Sequence, residues 1–174
     1  AGSYIHVGPE IGVASTKAFT GQVVILSLLA LLLSKMRNTL EENIYVKLVE
    51  SLEHIGDYVK EVLKEEEKIK KIAEILIDKE TALFLGRGIL FPVALEGAIK
   101  LKEISYIHAE GYPAAEMKHG PIALVEKDFP VIVIATNEHL IEKVISNVQE
   151  VKARGALTIG IVRKSNKDMK DIFD

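Results

Sequence analysis

Thr81-Ala82-Leu83-Phe84-Leu85-Gly86-Arg87-Gly88 is the stretch from which the fold can be read. Five residues, short, apolar and partly β-branched, run into a glycine-flanked turn, which is the pattern of a strand ending. Pro92 follows at a position suited to the first turn of a helix, and helical spacing continues to about Tyr106. Val131 to Ala135 and Leu157 to Val162 repeat the strand signal, and the segment from Glu138 to Arg154, stopped by Gly155, reads as the helix between them. Residues 107–128, with Gly111, Pro113, Gly120 and Pro121, read as irregular. Strand, helix, strand, helix, strand predicts an α/β fold with a doubly wound parallel sheet. The continuous apolar strands agree, because such strands are covered on both faces.

Upstream the pattern is helical. Residues 4–8 read as a short strand ending at Gly8-Pro9, and a long helix is expected from about Val13 to Met36. Its most apolar run, Val23 to Leu33, is shorter than the roughly 20 residues that span a bilayer, so it reads as a core helix, with no membrane partner. A helix apolar on nearly all sides needs neighbours on most of them, and a subunit interface would supply some. From Leu40 to Leu63, apolar residues recur at three and four, predicting one amphipathic helix. Glu65-Glu66-Glu67-Lys68 breaks it, and a further helix is expected over 69–77. The polar stretch Arg163 to Asp174 follows the last strand where an α/β layer normally has a covering helix, so the segment reads as cut there.

The 174 residues carry a net charge of −3 and no cysteine. The balance does not suit a phosphate-backbone binder, so no nucleic-acid partner is expected. The lack of cysteine removes disulfides, thiolate metal sites and cysteine nucleophiles. Together with the absence of a recognisable signal peptide, it fits a cytoplasmic location.

In open α/β sheets, ligands bind beyond the carboxyl ends of the strands. Gly86-Arg87-Gly88 lies at such an end, where Arg87 would either pair with an anion or be a solvated turn residue. Glu96, Lys100 and Glu103 are spaced four and three apart and share one helix face. From spacing alone, an exposed face with two ion pairs is the simpler reading; a carboxylate tuned beside a lysine for proton transfer is the functional one. His119, beside Gly120-Pro121, is a loop histidine able to carry protons near neutral pH, and His108 is a second candidate. No histidine and carboxylate set has metal-ligand spacing. Near the N-terminus, Ser15 or Thr16 would cap the long helix or, at the same helix end, bind sugar hydroxyls or an anion.

Several runs resemble the isomerase half of the glutamine–fructose-6-phosphate aminotransferase (glucosamine-6-phosphate synthase) family. They are Glu10-Ile11-Gly12-Val13-Ala14-Ser15-Thr16-Lys17-Ala18-Phe19, Leu83-Phe84-Leu85-Gly86-Arg87-Gly88, Ala94-Leu95-Glu96-Gly97-Ala98, the run Lys100 to Glu110, and Glu116-Met117-Lys118-His119-Gly120-Pro121. Each is weak alone, but they occur in one order across nearly the whole chain. The resemblance implies two sugar-isomerase domains of flavodoxin-like type, with residues 1–66 forming the end of the first and its connecting helices, and 67–174 most of the second. It implies Glu103 as the base moving a proton between C1 and C2, His119 as the ring-opening histidine reaching into a neighbouring subunit's site, and Lys100 as a lysine lining the site. Val13 and Ser15 would contact substrate. It implies no metal or organic cofactor, a sugar-phosphate substrate, a glutaminase domain on the same parent chain and a homodimer with a shared active site. The family's serine- and threonine-rich phosphate loop, its Schiff-base lysine and its glutaminase cysteine have no counterpart here, so the segment alone is expected to be inactive. Two other readings stay open: a glucosamine-6-phosphate deaminase without a glutaminase domain, and a non-catalytic sugar-phosphate sensor.

Overall fold

The computed structural model describes residues 2–166, 169 and 171–174. The chain divides into two compact units, residues 1–74 and 75–174.

The first unit is helical. Helix α1 spans Lys17–Arg37, α2 Glu42–Glu53, α3 Ile55–Leu63, and α4 Glu66–Leu76 crosses the division. Residues 4–8 form no strand, contrary to the sequence expectation; Val7 instead packs beside Gly21, where a Cβ would stand 2.6 Å from its Cγ1. The single helix expected over 40–63 is two, broken at His54, whose backbone sits at φ −91° and ψ 0°. Gly56 falls in the first turn of α3, and glycine favours a helix interior less than alanine does by about 1 kcal/mol. α1 closes on Asn38 in the left-handed conformation, whose amide donates to the Lys35 carbonyl, with Lys35 and Arg37 in the negative last turn. At 21 residues, α1 is long and apolar enough to cross a membrane by length and composition. The apolar run Val23 to Leu33, broken only by Ser27, is shorter than the helix, which also takes in Lys17 to Gln22 and Ser34 to Arg37.

The second unit holds a four-stranded parallel sheet: β1 Thr81–Gly86, β2 His108–Pro113, β3 Pro130–Ala135 and β4 Leu157–Val162, in the order β2-β1-β3-β4. This is the doubly wound α/β arrangement. Helix α5, Phe91–Ser105, joins β1 to β2, and α6, Ile141–Lys152, joins β3 to β4. Strand alternation gives each face its own core. Leu83, Leu85, Val131 and Val133 meet Val144, Val148 and Val151 of α6 on one face. On the other, Ala82, Phe84, Ala109 and Ile132 meet Ala98 of α5 and Leu76 at the end of α4.

β2 lies inside the stretch expected to be irregular. It pairs only with β1, from Thr81↔His108 to Gly86↔Pro113, and is the sheet's edge. Glycine and proline are tolerated there, and they hide the strand signal in the sequence. Residues 114–119 and 121–124 are 3₁₀ turns.

No covering helix follows β4 among the described residues, but the chain after it does pack on the sheet. Met169, Ile172 and Phe173 pack on the α6-side core, and a Cβ on Gly160 would stand 2.4 Å from the Phe173 ring. Asp174 Oδ2 accepts from both the amide and the hydroxyl of buried Thr158, at 2.8 Å each, and Lys152 Nζ lies 3.1 Å from Oδ1. Burial by itself would raise the Asp174 carboxyl, but Thr158 and Lys152 outweigh it and hold the group below its ordinary value.

Candidate functional site

The turn after β1 is built on two glycines. A Cβ on Gly86 would stand 2.2 Å from the Leu90 carbonyl oxygen, so the chain can double back only without a side chain there, and Gly88 has φ +58°. Arg87 is half-buried and tethered by one of its guanidinium nitrogens. Its Nη1 donates to Asn147 Oδ1 on α6 at 3.2 Å, and Asn147 is 5% exposed. The turn is thereby tied to α6, the helix that covers the Leu83 and Leu85 face of the sheet.

α5 sits close to the sheet. A Cβ on Gly97 would meet the Phe84 ring at 2.9 Å, and one on Gly111 would meet the Leu95 backbone at 2.8 Å. With Ala94 and Ala98 turned inward, the Glu96, Lys100 and Glu103 face is turned away from the core. There Lys100 Nζ lies 2.7 Å from Glu103 Oε2 and 3.5 Å from Glu96 Oε1. All three side chains are partly covered, and the Lys100 ammonium is held protonated above its ordinary range, first by the hydrogen bond to Glu103. The predicted trio is therefore assembled: one cation between two carboxylates, with Glu103 in direct contact.

His119 ends the 114–119 turn and is exposed, with Nε2 3.8 Å from Glu116 Oε2. No contact joins it to Lys100 or Glu103 among the described residues. His108, the other candidate, stands on the sheet edge with Nε2 3.3 Å from Glu110 Oε1.

In the first unit, Val13 is exposed and Ser15 half-buried. Neither Ser15 nor Thr16 caps α1 as expected: Thr16 stands at the cap position with helical backbone angles and makes no side-chain cap bond. Glu10 does the work. Its Oε1 accepts from the Thr16 and Ala18 amides at 3.0 Å each, and Lys17 Nζ donates to the Pro9 carbonyl at 2.9 Å. The Ala18 amide chiefly, then the Ser15 hydroxyl, holds the Glu10 carboxyl below its ordinary value. The loop bearing Val13 and Ser15 is thus closed by a carboxylate at a helix N-terminus. Glu10 is not legible as a cap in the sequence, because it is a carboxylate 6 and 8 residues upstream of the amides it binds rather than a hydroxyl next to the helix.

Among the described residues, one surface hollow is lined by Ile5, Val7, Thr20, Val24, Val59 and Leu63, and another by Leu95, Ile99, Lys102, Glu110 and Tyr112 among others. None of Val13, Ser15, Lys100, Glu103 or His119 lines either. Among the described residues, no group of three or more His, Asp or Glu side chains is placed to hold a metal ion.

The chain is 56% identical over 173 residues to the glutamine–fructose-6-phosphate aminotransferase (isomerizing) of Bacteroides thetaiotaomicron, covering 99% of this chain and 28% of that protein. It superposes on the C-terminal domain of glucosamine-fructose-6-phosphate aminotransferase from Francisella tularensis with a TM-score of 0.92 and 49% identity, over 96% of this chain and 47% of that one. A glucosamine-6-phosphate deaminase from Thermotoga maritima is more distant, with a TM-score of 0.57 and 25% identity over 79% of this chain and 41% of that one. The chain thus spans little more than a quarter of the length of the curated relatives it matches. Residues 75–172, which hold the whole parallel sheet with α5 and α6, match the SIS domain model, and the chain belongs to the SIS domain family.

Proposed function

We propose that this chain is the isomerase part of an isomerising aminotransferase that makes glucosamine 6-phosphate and glutamate from fructose 6-phosphate and glutamine. Residues 1–66 are the end of a first sugar-isomerase domain with its connecting helices, and 67–174 most of a second. The partners are a sugar phosphate, a glutaminase domain on the same parent chain and a second copy sharing the active site, in the cytoplasm.

The observation that carries this reading is the contact between Lys100 and Glu103, 2.7 Å on the outer face of α5, in a chain so similar to named aminotransferases. Exchange between ketose and aldose takes a proton from one carbon and returns one to its neighbour. A carboxylate held in one rotamer by a permanent cation is suited to accept and return that proton. Glu103 is the base, Lys100 orients it, and Glu96 gives the ammonium a second partner. Exposed His119 carries the proton of sugar ring opening, acting in the neighbouring copy's site. Val13 and Ser15 contact the sugar from the loop that Glu10 closes.

Substrate binding alone, as in a sensor, does not call for an aligned lysine and carboxylate. Identity to the aminotransferases is about twice that to the solved deaminase, which favours the synthase. The test is Glu103→Gln in the full-length protein. Sugar isomerisation is expected to fall by roughly 10²- to 10⁴-fold, the usual worth of a general base, while glutamine hydrolysis survives. Full sugar conversion by the variant would show that the base is another group.

A further inference from the structure

In a 3₁₀ helix, successive side chains point about 120° apart and residues three apart eclipse. Residues 114–119 wind in this way, so the direction of His119 is set by what its two predecessors hold. Met117 is fully buried in the α6-side core. Lys118 reaches α6, where its Nζ lies 2.9 Å from Glu150 Oε1. His119 takes the third direction, outward, with its side chain 74% exposed, and Glu116, one turn back, shares its face.

Glu150 is an unusual anchor. Its side chain is 23% exposed, and its Oε2 is buried without a hydrogen-bond partner among the described residues. The Ser146 hydroxyl, one turn earlier, approaches Oε1 at 3.4 Å, leaving Oε2 alone. A carboxylate oxygen closed off from donors is unfavourable, and an apolar side chain of similar length would remove that cost. What such a side chain could not do is hold Lys118.

We propose that Glu150 is a positioning residue: by fixing Lys118 against α6, it sets the direction in which His119 leaves the 114–119 turn. The role in turnover rests on the reading of His119 as the ring-opening group; the geometric role does not.

The experiment compares Glu150→Ala, Lys118→Ala, the double variant, Glu150→Asp and His119→Asn in the full-length protein, reading sugar isomerisation, glutamine hydrolysis and thermal unfolding. Misplacing a catalytic group by about 1 Å can cost 10²-fold, so each single alanine variant is expected to lower kcat for the sugar reaction roughly 10- to 100-fold. KM and glutamine hydrolysis should stay near wild type. If Glu150 acts through Lys118, the double variant is no worse than either single one, and Glu150→Asp recovers part of the loss. Where His119→Asn lowers sugar turnover, wild-type kcat in Glu150→Ala, additive losses in the double variant, or an equal loss of glutamine hydrolysis would each overturn the proposal. If His119→Asn turns over sugar normally, the reading of His119 falls. The positioning claim is then decided by amide hydrogen exchange over residues 114–119 in Glu150→Ala, faster exchange supporting it and unchanged exchange overturning it.

Discussion

Arg87 Nη1 donates to Asn147 Oδ1 across 3.2 Å, joining the turn after β1 to the middle of α6. The bond gives the arginine a structural role, since it satisfies a nearly buried amide oxygen. Arg87→Ala leaves the Asn147 oxygen without its donor, and stability should fall by about 1–3 kcal/mol in urea unfolding. Sugar-phosphate affinity of the full-length protein, followed by calorimetry, should stay within about twofold, well under the tenfold that 1.4 kcal/mol represents.

Two glycines near that turn should respond differently to the same substitution. At Gly86 the added methyl meets backbone, the Leu90 carbonyl oxygen at 2.2 Å, whereas at Gly97 it meets the Phe84 ring at 2.9 Å. A ring can shift and a carbonyl in a tight turn cannot. Gly97→Ala should cost about 1–3 kcal/mol, the usual range for overpacking. Gly86→Ala should cost more than that, and unfolding of the two variants side by side gives the order directly.

Glu10 predicts a pH dependence confined to one end of α1. Its carboxyl is depressed by the Ala18 amide first, with Ser15, Thr16 and Lys17 adding to it. A depressed carboxyl contributes stability that is present above its unfolded value and is lost as pH falls through the lower folded value. Hydrogen exchange of the Thr16 and Ala18 amides, corrected for intrinsic rates, should stay slow down through pH 4.5, the group's ordinary value, and quicken only below it. Glu10→Gln should abolish that acid step.

Lys100 works in the opposite sense. Its ammonium is raised, chiefly by the Glu103 hydrogen bond, so its contribution is full below about the ordinary lysine value of 10.4 and is lost as pH rises through the higher folded one. Across the neutral range the Lys100–Glu103 contact should therefore be insensitive to pH. Lys100→Met removes the orienting cation and should lower sugar isomerisation by roughly 10²-fold, the scale of a misplaced catalytic group, with glutamine hydrolysis as the internal control.

The strands β1, β3 and β4 and the helices between them were legible because central parallel strands are apolar on both faces. β2 was not: as an edge strand it tolerates Gly111 and Pro113, and its pairing with β1 is a long-range fact that local pattern does not hold. The Glu96, Lys100 and Glu103 trio could be read from helical spacing, since such neighbours are fixed by the helix itself. The Glu10 cap and the Lys118–Glu150 bridge could not. Each depends on how a loop folds back, over 6 and 8 residues for Glu10 and between separate elements for Glu150.

α1 carries a consequence for biosynthesis. Leu31 is its one buried residue, while Leu26, Leu32, Leu33 and Met36 are all exposed. Chains leave the ribosome N-terminus first at about 5–20 residues per second, so β4 emerges roughly 6–30 s after α1 at those rates. α1, long and apolar enough by composition to cross a membrane, is thus complete before any of β1 to β4 exists, and for that interval its apolar side chains must be covered by something other than the sheet of residues 75–174.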